Sequence, residues 1–336
     1  MTIPRALVTG SSGFIGRHLV RHLLDLGWEV AGLDWRPPVV WDPRFHHHAV
    51  NLLEAGEVRA AVRASAPEFV FHLAARTDLD EQHELSGYAA NIEGVANLVE
   101  ALRDAPVRRA ICTSSQLVYR IGATPRHDED YEPGTLYGQS KVRTEQIWRA
   151  ADGAGAEWCI VRPTTIWGPY MLPHYVRFFR MIRAHRYFHV GGGPTYKSYG
   201  YVGNTVHEFA SLMTAPVSKV HRRTFYLADY EPIALEAWAD AFQHVLGARR
   251  IPVVPVGVAR TAARLIDAWN RLGIRELPFS SFRLNNVLTA YQVDMLPTAA
   301  VCGPLPFTML EGVAATASWL ERIWAEEEAR SPEAPA

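Results

Sequence analysis

Three glycines set three residues apart, Gly10, Gly13 and Gly16, follow a short apolar run (Ala6 to Thr9) and open an apolar-periodic stretch (Phe14 to Leu26). A strand that turns into a helix through such a loop leaves few folds open. The glycines let the backbone approach a pyrophosphate, whose charge then rests on the N–H groups that begin the helix. A second apolar run, Glu29 to Leu33, ends on Asp34, 18 residues after Gly16. That spacing suits a carboxylate meeting the adenosine ribose hydroxyls of a dinucleotide. A carboxylate repels a 2′-phosphate and points to NAD; Arg36 is the counter-signal for NADP.

The alternation continues down the chain. Helical patterns at Glu54 to Ser65, Gly87 to Arg103 and Thr135 to Ala150 interleave with strand patterns at Glu68 to Leu73, Arg109 to Thr113 and Trp158 to Val161. This predicts an α/β doubly wound parallel sheet. Residues 1–165 are expected to form the dinucleotide-binding domain, its sheet completed from 195–230, with 166–325 mainly a smaller substrate-binding region and 326–336 a flexible tail. Helices are expected at Tyr175 to Ala184, Leu235 to Leu246, Val258 to Leu272 and Thr308 to Ala325, and Thr224 to Leu227 is expected to rejoin the sheet.

Composition excludes several classes. A net charge of −1 over 336 residues lacks the basic field of a dedicated nucleic-acid binder. Cys112, Cys159 and Cys302 are too scattered for a disulfide framework or a zinc site. The apolar-leaning run Leu296 to Leu310 is broken by prolines and too short to span a bilayer. Charged Arg5 runs straight into the glycine loop, so no secretory leader is expected. A cytoplasmic protein without membrane contact is the expectation.

Tyr137 and Lys141 lie one helical turn apart, so phenol and ammonium share a face. A cation beside a phenol lowers a pKa that is otherwise about 10, which lets tyrosine exchange protons near neutrality. Lysine is scarce here: Lys141, Lys197 and Lys219 stand among 34 basic residues. A compact ammonium suits this slot better than a planar guanidinium. Thr113-Ser114-Ser115 ends the fourth strand pattern, where an open sheet presents ligands, so a serine hydroxyl there can bond the reacting oxygen.

Taken together these motifs resemble the extended short-chain dehydrogenase/reductase family, in particular its nucleotide-sugar epimerases, dehydratases and reductases, over nearly the whole chain. His72-Leu-Ala-Ala75, Asn91 in Asn-Ile-Glu-Gly, Thr113-Ser-Ser-Gln-Leu-Val-Tyr119 and Arg162-Pro-Thr-Thr-Ile-Trp-Gly-Pro169 match family segments beside the glycine loop and the Tyr137/Lys141 pair. The resemblance implies that Ser115, Tyr137 and Lys141 are catalytic. It implies cofactor contacts from Gly10, Ser12, Gly13, Phe14, Ile15, Gly16, Asp34, Trp35, Arg36, Asn51, Leu52, Leu73, Ala74, Ala75, Arg76, Asn91, Thr113, Tyr137, Lys141 and Pro163. It implies substrate contacts from Arg76, Ser115, Gln116, Thr165, Lys197, Tyr199 and Arg283, and no metal.

Departures from the family pattern shape the function. Gln116 and Leu117 replace the acids that dehydratases carry after the catalytic hydroxyl, so water elimination is not expected. Thr165 stands where many relatives have a substrate-binding Asn, and Asn51 replaces an acid near the adenine. Lys197 occupies a slot where relatives carry a phosphate-contacting Arg. The expected enzyme is therefore an NAD-dependent nucleotide-sugar epimerase or ketoreductase. The alternatives are a 4,6-dehydratase, a dehydrogenase of a sterol or other hydrophobic alcohol, and a non-catalytic dinucleotide sensor. The sensor predicts decay of the Ser–Tyr–Lys set, which is intact.

Four further expectations concern the surface. His46-His47-His48 is read as a loop. The arginines 177, 180, 183 and 186 are read as the lip of a pocket for an anionic substrate in preference to a membrane-facing helix. Lys219 is assigned to a surface loop. A homodimer is expected, with Ile92, Val95, Leu98, Val99, Val142, Ile147 and Trp148 as candidate apolar surface.

Overall fold

The computed structural model describes residues 3–79, 81, 83–123, 125–191, 193–271 and 280–330. Its first half alternates strands and helices: β1 (Arg5–Thr9), α1 (Phe14–Asp25), β2 (Glu29–Asp34), β3 (Phe45–Ala49), α2 (Ala55–Ser65), β4 (Phe69–His72), α3 (Ala89–Leu102), β5 (Arg109–Thr113), α4 (Leu136–Ala150) and β6 (Glu157–Pro163). With Arg223–Leu227 these strands make a seven-stranded sheet in the order 223–227, β6, β5, β4, β1, β2, β3. Every neighbouring pair is parallel, Val8 facing both Gly32 and Phe71 across β1. The order reverses between β1 and β4. That switch point opens a crevice beyond the carboxyl ends of the strands, where open α/β sheets bind ligands.

Helices cover both faces, so both faces of the strands are apolar. On one side Leu19, Val20, Leu23 and Leu24 of α1 pack with Val206, Phe209 and Leu212 of a helix at Val202–Thr214. On the other, α2, α3 and α4 bury Val58, Leu98 and Trp148 against Leu7, Val70 and Ile160.

The chain divides into two compact units, the first made of Met1–Ile166, Gly200–Tyr230 and Val293–Pro306, the second of Trp167–Tyr199, Glu231–Gln292 and Phe307–Ala336. The second holds helices at Pro173–Arg183, Leu235–Val245, Val256–Arg271, Ser281–Leu288 and Met309–Arg330. Its core is aromatic: Phe179 lies 4.3 Å from Phe242, and Trp167 lies 5.5 Å from Trp238, between ring centroids. Among the described residues, no helix is long and apolar enough to cross a membrane.

Several expectations change. His46–His48 form part of β3, pairing with Ala31, Gly32 and Leu33, and not a loop. An edge strand exposed along one side carries polar residues, which hides its strand character in the sequence. The last helix runs through Arg330, so 326–330 are not tail. Lys219 is exposed on a one-turn helix, Val217–Val220. Val95, Leu98, Val99, Val142 and Trp148 are buried within this chain and offer no surface to a second copy. Arg180 and Arg183 pair with Glu327 and Glu328 of the last helix.

Candidate active site

The carboxyl ends of the strands gather most of the expected cofactor residues on one edge. Gly10 to Gly16 join β1 to α1, Asp34 to Arg36 follow β2, and Asn51 and Leu52 follow β3. Leu73 to Arg76 follow β4, Thr113 ends β5 and Pro163 ends β6. A Cβ on Gly16 would lie 2.0 Å from the Gly10 carbonyl oxygen, so the loop folds flat against the first turn of α1. No side chain caps that helix and no acid stands in its first turn. Its N–H groups and positive dipole end are thus available to an anion, and the loop fits the pyrophosphate of NAD. Thr113 Oγ1, Ser114 Oγ and Gln116 Oε1 are buried at the end of β5 with no hydrogen-bond partner among the described residues. Buried polar atoms of this kind are what a bound ligand satisfies.

Not every expected contact faces outward. Asn91 is fully buried, and each hydrogen-bonding group of its side chain is spent inside the protein. Its oxygen accepts the Arg76 N–H (2.8 Å), while its amide donates to Arg76 O and to Ser140 Oγ (both 2.9 Å). Ser140 Oγ in turn donates to the Tyr137 carbonyl oxygen at 2.7 Å. Asn91 therefore ties the segment after β4 to the first turn of α4. Arg76 is likewise engaged, donating to Asp78 through Nε (2.8 Å) and Nη2 (3.0 Å) and to Gly87 O (2.7 Å). Its guanidinium sits 5.1 Å from the Tyr88 ring centroid, and that ring lies 6.0 Å from the Tyr137 ring. Leu52 is buried under α3, where a Cβ on Gly94 would meet it at 2.8 Å. Trp35 is 74% exposed.

His72 is neutral. Thr9 Oγ1 accepts N–H groups from Leu73 (3.2 Å) and Ala74 (3.1 Å), so its own proton goes to His72 Nδ1 at 2.8 Å. Both lone pairs of the hydroxyl are then used, and the imidazole proton belongs on Nε2. Burial, aided by the nearby Lys141 charge, pushes the His72 pKa down to about 3. The pair clamps the Leu73–Ala74 backbone in place.

The residues expected to be catalytic come from α4 and the turn after β5. Thr135 caps α4, its Oγ1 accepting the Gly138 N–H at 3.0 Å. That fixes the turn on which Tyr137 stands, 8% exposed. A Cβ on Gly138 would fall 2.2 Å from Leu117 O, so α4 touches the turn opened by Ser115, whose Oγ accepts the Leu117 N–H at 3.1 Å. Lys141 Nζ, one turn on, donates to Thr113 O at 2.7 Å. Tyr137, Lys141 and Ser115 are thus gathered at the end of β5. Burial, only partly offset by Cys112 and Glu145, pulls the Lys141 ammonium down to about 8. The remaining face of α4 is pinned by Glu145, which takes both Arg162 Nε (2.8 Å) and Nη2 (2.7 Å) with neither side chain exposed. Tyr131 OH adds a third bond to that carboxylate at 2.8 Å. The sequence signal for this pair was the conspicuous Arg162 inside an apolar strand.

In the second unit Lys197 departs from expectation. Its ammonium donates to Asn286 O (2.6 Å) and Thr289 O (3.0 Å), the carbonyls at the end of helix Ser281–Leu288. It is a helix cap, and cations favour that dipole end. Tyr199 packs edge-on to Trp238 at 5.6 Å. Arg283 belongs to helix Ser281–Leu288, but its side chain lies outside the described residues.

The chain is 30% identical to 3-beta-hydroxysteroid dehydrogenase of Mycolicibacterium neoaurum over 82% of its own length and 79% of the relative's. It is 25% identical to 2-alkyl-3-oxoalkanoate reductase of Stenotrophomonas maltophilia, over 91% and 96%. Its fold is that of UDP-glucuronic acid 4-epimerase from Bacillus cereus in complex with UDP-glucuronic acid and NAD (TM-score 0.73, 17% identity, 95% and 99% covered). Residues 6–228 match the NAD dependent epimerase/dehydratase family. With the glycine loop, Asp34 and the Ser115–Tyr137–Lys141 set in place, the chain is an NAD-dependent enzyme and belongs to that family.

Proposed function

We propose that the enzyme interconverts a secondary alcohol and its ketone, and that the alcohol is neutral and hydrophobic, of the hydroxysteroid kind. The reaction rests on one observation: a buried ammonium on Thr113 O, one helical turn from Tyr137 and beside Ser115. NAD supplies the hydride acceptor. The glycine loop and α1 would hold its pyrophosphate, and Asp34 its adenosine ribose. Ser115 Oγ orients the substrate oxygen. Tyr137 takes the hydroxyl proton as the alcohol is oxidised and returns it on reduction. Lys141 keeps the phenol acidic enough for that exchange.

Lys197 bears on the substrate. As a helix cap it has two of its three donors committed to carbonyls, so the cation expected to meet a diphosphate is largely engaged. Arg76, the other cation expected at the substrate, is paired with Asp78. This favours the hydrophobic alcohol over the nucleotide sugar, and 3-beta-hydroxysteroid dehydrogenase is a relative at 30% identity. Gln116 and Leu117 supply no acid for dehydration in either case. The test follows NADH formation at 340 nm with a 3β-hydroxysteroid, alongside interconversion of UDP-glucose and of UDP-glucuronic acid. Turnover of the steroid with inert UDP-sugars is expected; turnover of a UDP-sugar alone would return the nucleotide sugars to first place.

A further inference from the structure

Helix Val256–Arg271 of the second unit is apolar along two lines. On one, Ala259 and Ala263 are buried with Val190 and Leu284, which seats the helix on its own unit. On the other, Val258, Ala262, Leu265 and Trp269 recur at spacings of four, three and four, which aligns them on one face. That face is open to solvent: Val258 is 59% exposed, Leu265 67% and Trp269 45%. From Val258 to Trp269 it runs about 16 Å, at roughly 1.5 Å per residue. Single exposed apolar residues are ordinary, whereas a contiguous set marks an interaction surface.

Charge and area say what covers it. Residues 249–271 hold five arginines (249, 250, 260, 264 and 271) and one acid, Asp267, in a chain of net charge −1. Asp267 is engaged within its own unit, accepting the Ser281 N–H at 3.2 Å. Arg249, Arg250, Arg260 and Arg264 are exposed, and none of them makes a salt bridge among the described residues. Arg260 and Arg264, one turn apart, lie on the arc between the buried line and the exposed one. The exposed parts of four side chains fall well short of the roughly 800 Å² per partner that a stable interface between two proteins buries. A bilayer asks for no such area and no matching groove. It takes an apolar line into the acyl boundary and cations into an anionic headgroup layer.

We infer that helix Val256–Arg271 is a docking surface for an anionic lipid bilayer, with Val258, Leu265 and Trp269 inserted and Arg260 and Arg264 meeting the headgroups. The helix lies on the bilayer and does not cross it; no described helix is long and apolar enough to do so. Docking brings the enzyme to the phase in which a neutral hydrophobic alcohol dissolves. The inference concerns lipid binding alone and stands without that substrate reading.

The test is co-flotation of the full chain with vesicles of phosphatidylcholine, alone or mixed with phosphatidylserine, at low and high salt. The wild type should float with the mixed vesicles and be released as salt screens the headgroups. Arg260→Gln combined with Arg264→Gln should weaken that binding about 20- to 30-fold, at about fivefold per arginine. Leu265→Gln should weaken it about tenfold by withdrawing one apolar side chain from the bilayer. All three positions are exposed, so these variants should keep the wild-type thermal midpoint and NADH affinity. Lys219→Gln removes an exposed charge from the first unit and should float as the wild type does. A wild type that floats with neither vesicle would overturn the inference. Equal flotation with both compositions would overturn it too, as would a loss in Lys219→Gln as large as that of the arginine pair. A wild-type dimer that light scattering finds monomeric in Leu265→Gln would assign the face to a second copy and likewise overturn it.

Discussion

Lys141 and Lys197 are both buried, both drawn down by desolvation, and both donate to main-chain carbonyls. One sits at the end of β5 beside a phenol and orphaned hydroxyls; the other closes a helix. A burial-tolerant ammonium donates to main-chain carbonyls at each place, and only the neighbours distinguish the two. A guanidinium fits poorly at these two places, but lysine scarcity by itself carries no information about reactivity: Lys219, the third lysine, is exposed on a one-turn helix.

The comparison breaks most sharply at Tyr137, which stands one helical turn before Lys141. Tyr137→Phe should lower turnover by about 10²–10⁴-fold while NADH affinity by fluorescence titration stays nearly unchanged, since general acid–base catalysis is worth that much. A smaller loss would move the proton to a relay through Ser115 or water.

Lys141→Met and Lys197→Met should have opposite effects on stability. The Lys141 ammonium has a folded pKa of about 8 against an ordinary 10.5, so the folded state sheds its proton first. Native stability then rises with pH between those values. At pH 7 Lys141→Met should stabilise the fold by roughly 1–3 kcal/mol while stopping turnover, and thermal denaturation should show the gap closing above pH 10. Lys197→Met strands two carbonyls at the end of a helix and should cost about 1–3 kcal/mol. It should leave UDP binding by calorimetry as weak as before; a drop in UDP affinity would restore Lys197 as a phosphate ligand.

Glu208 extends the comparison to an acid. Burial, with Asp229 close by, raises its pKa well above the ordinary 4.5, and burial lifts Asp229 to about 6. An acid whose folded pKa is raised contributes stability below its unfolded pKa and loses it as pH climbs through the folded value. Glu208→Gln should therefore gain on the wild type in denaturant midpoint as pH rises from 5 to 8. Lys219→Arg, on an exposed turn, should change nothing measurable in activity or stability.

Much of this architecture was legible because its signals are local. A glycine loop between strand and helix, an acid at the end of β2, and a tyrosine one turn before a lysine each occupy a few consecutive residues. Strand β3 escaped notice because an edge strand does not need an apolar run, and His46–His48 read as polar loop. The return of Val293–Pro306 to the first unit was invisible for another reason: Thr298 donating to Tyr226 O at 2.7 Å joins residues 72 apart. Asn91, Arg76 and Lys197 were placed at the ligand by family likeness. Only their hydrogen bonds show that Asn91 is spent within the protein and that Arg76 and Lys197 are partly engaged there.

Gly138 leaves a mark on how this enzyme can vary. With Leu117 O only 2.2 Å from where a Cβ would stand, any side chain there drives α4 away from the turn that carries Ser115. The rest of α4 is held by Glu145, Arg162 and Asn91, so such a variant should still express and fold. In a mutational survey this position would behave unlike the core: tolerated by a screen for soluble protein, eliminated by a screen for turnover. A glycine wedged between α4 and the turn of Ser115 would then be a place where selection for function acts without help from selection for folding.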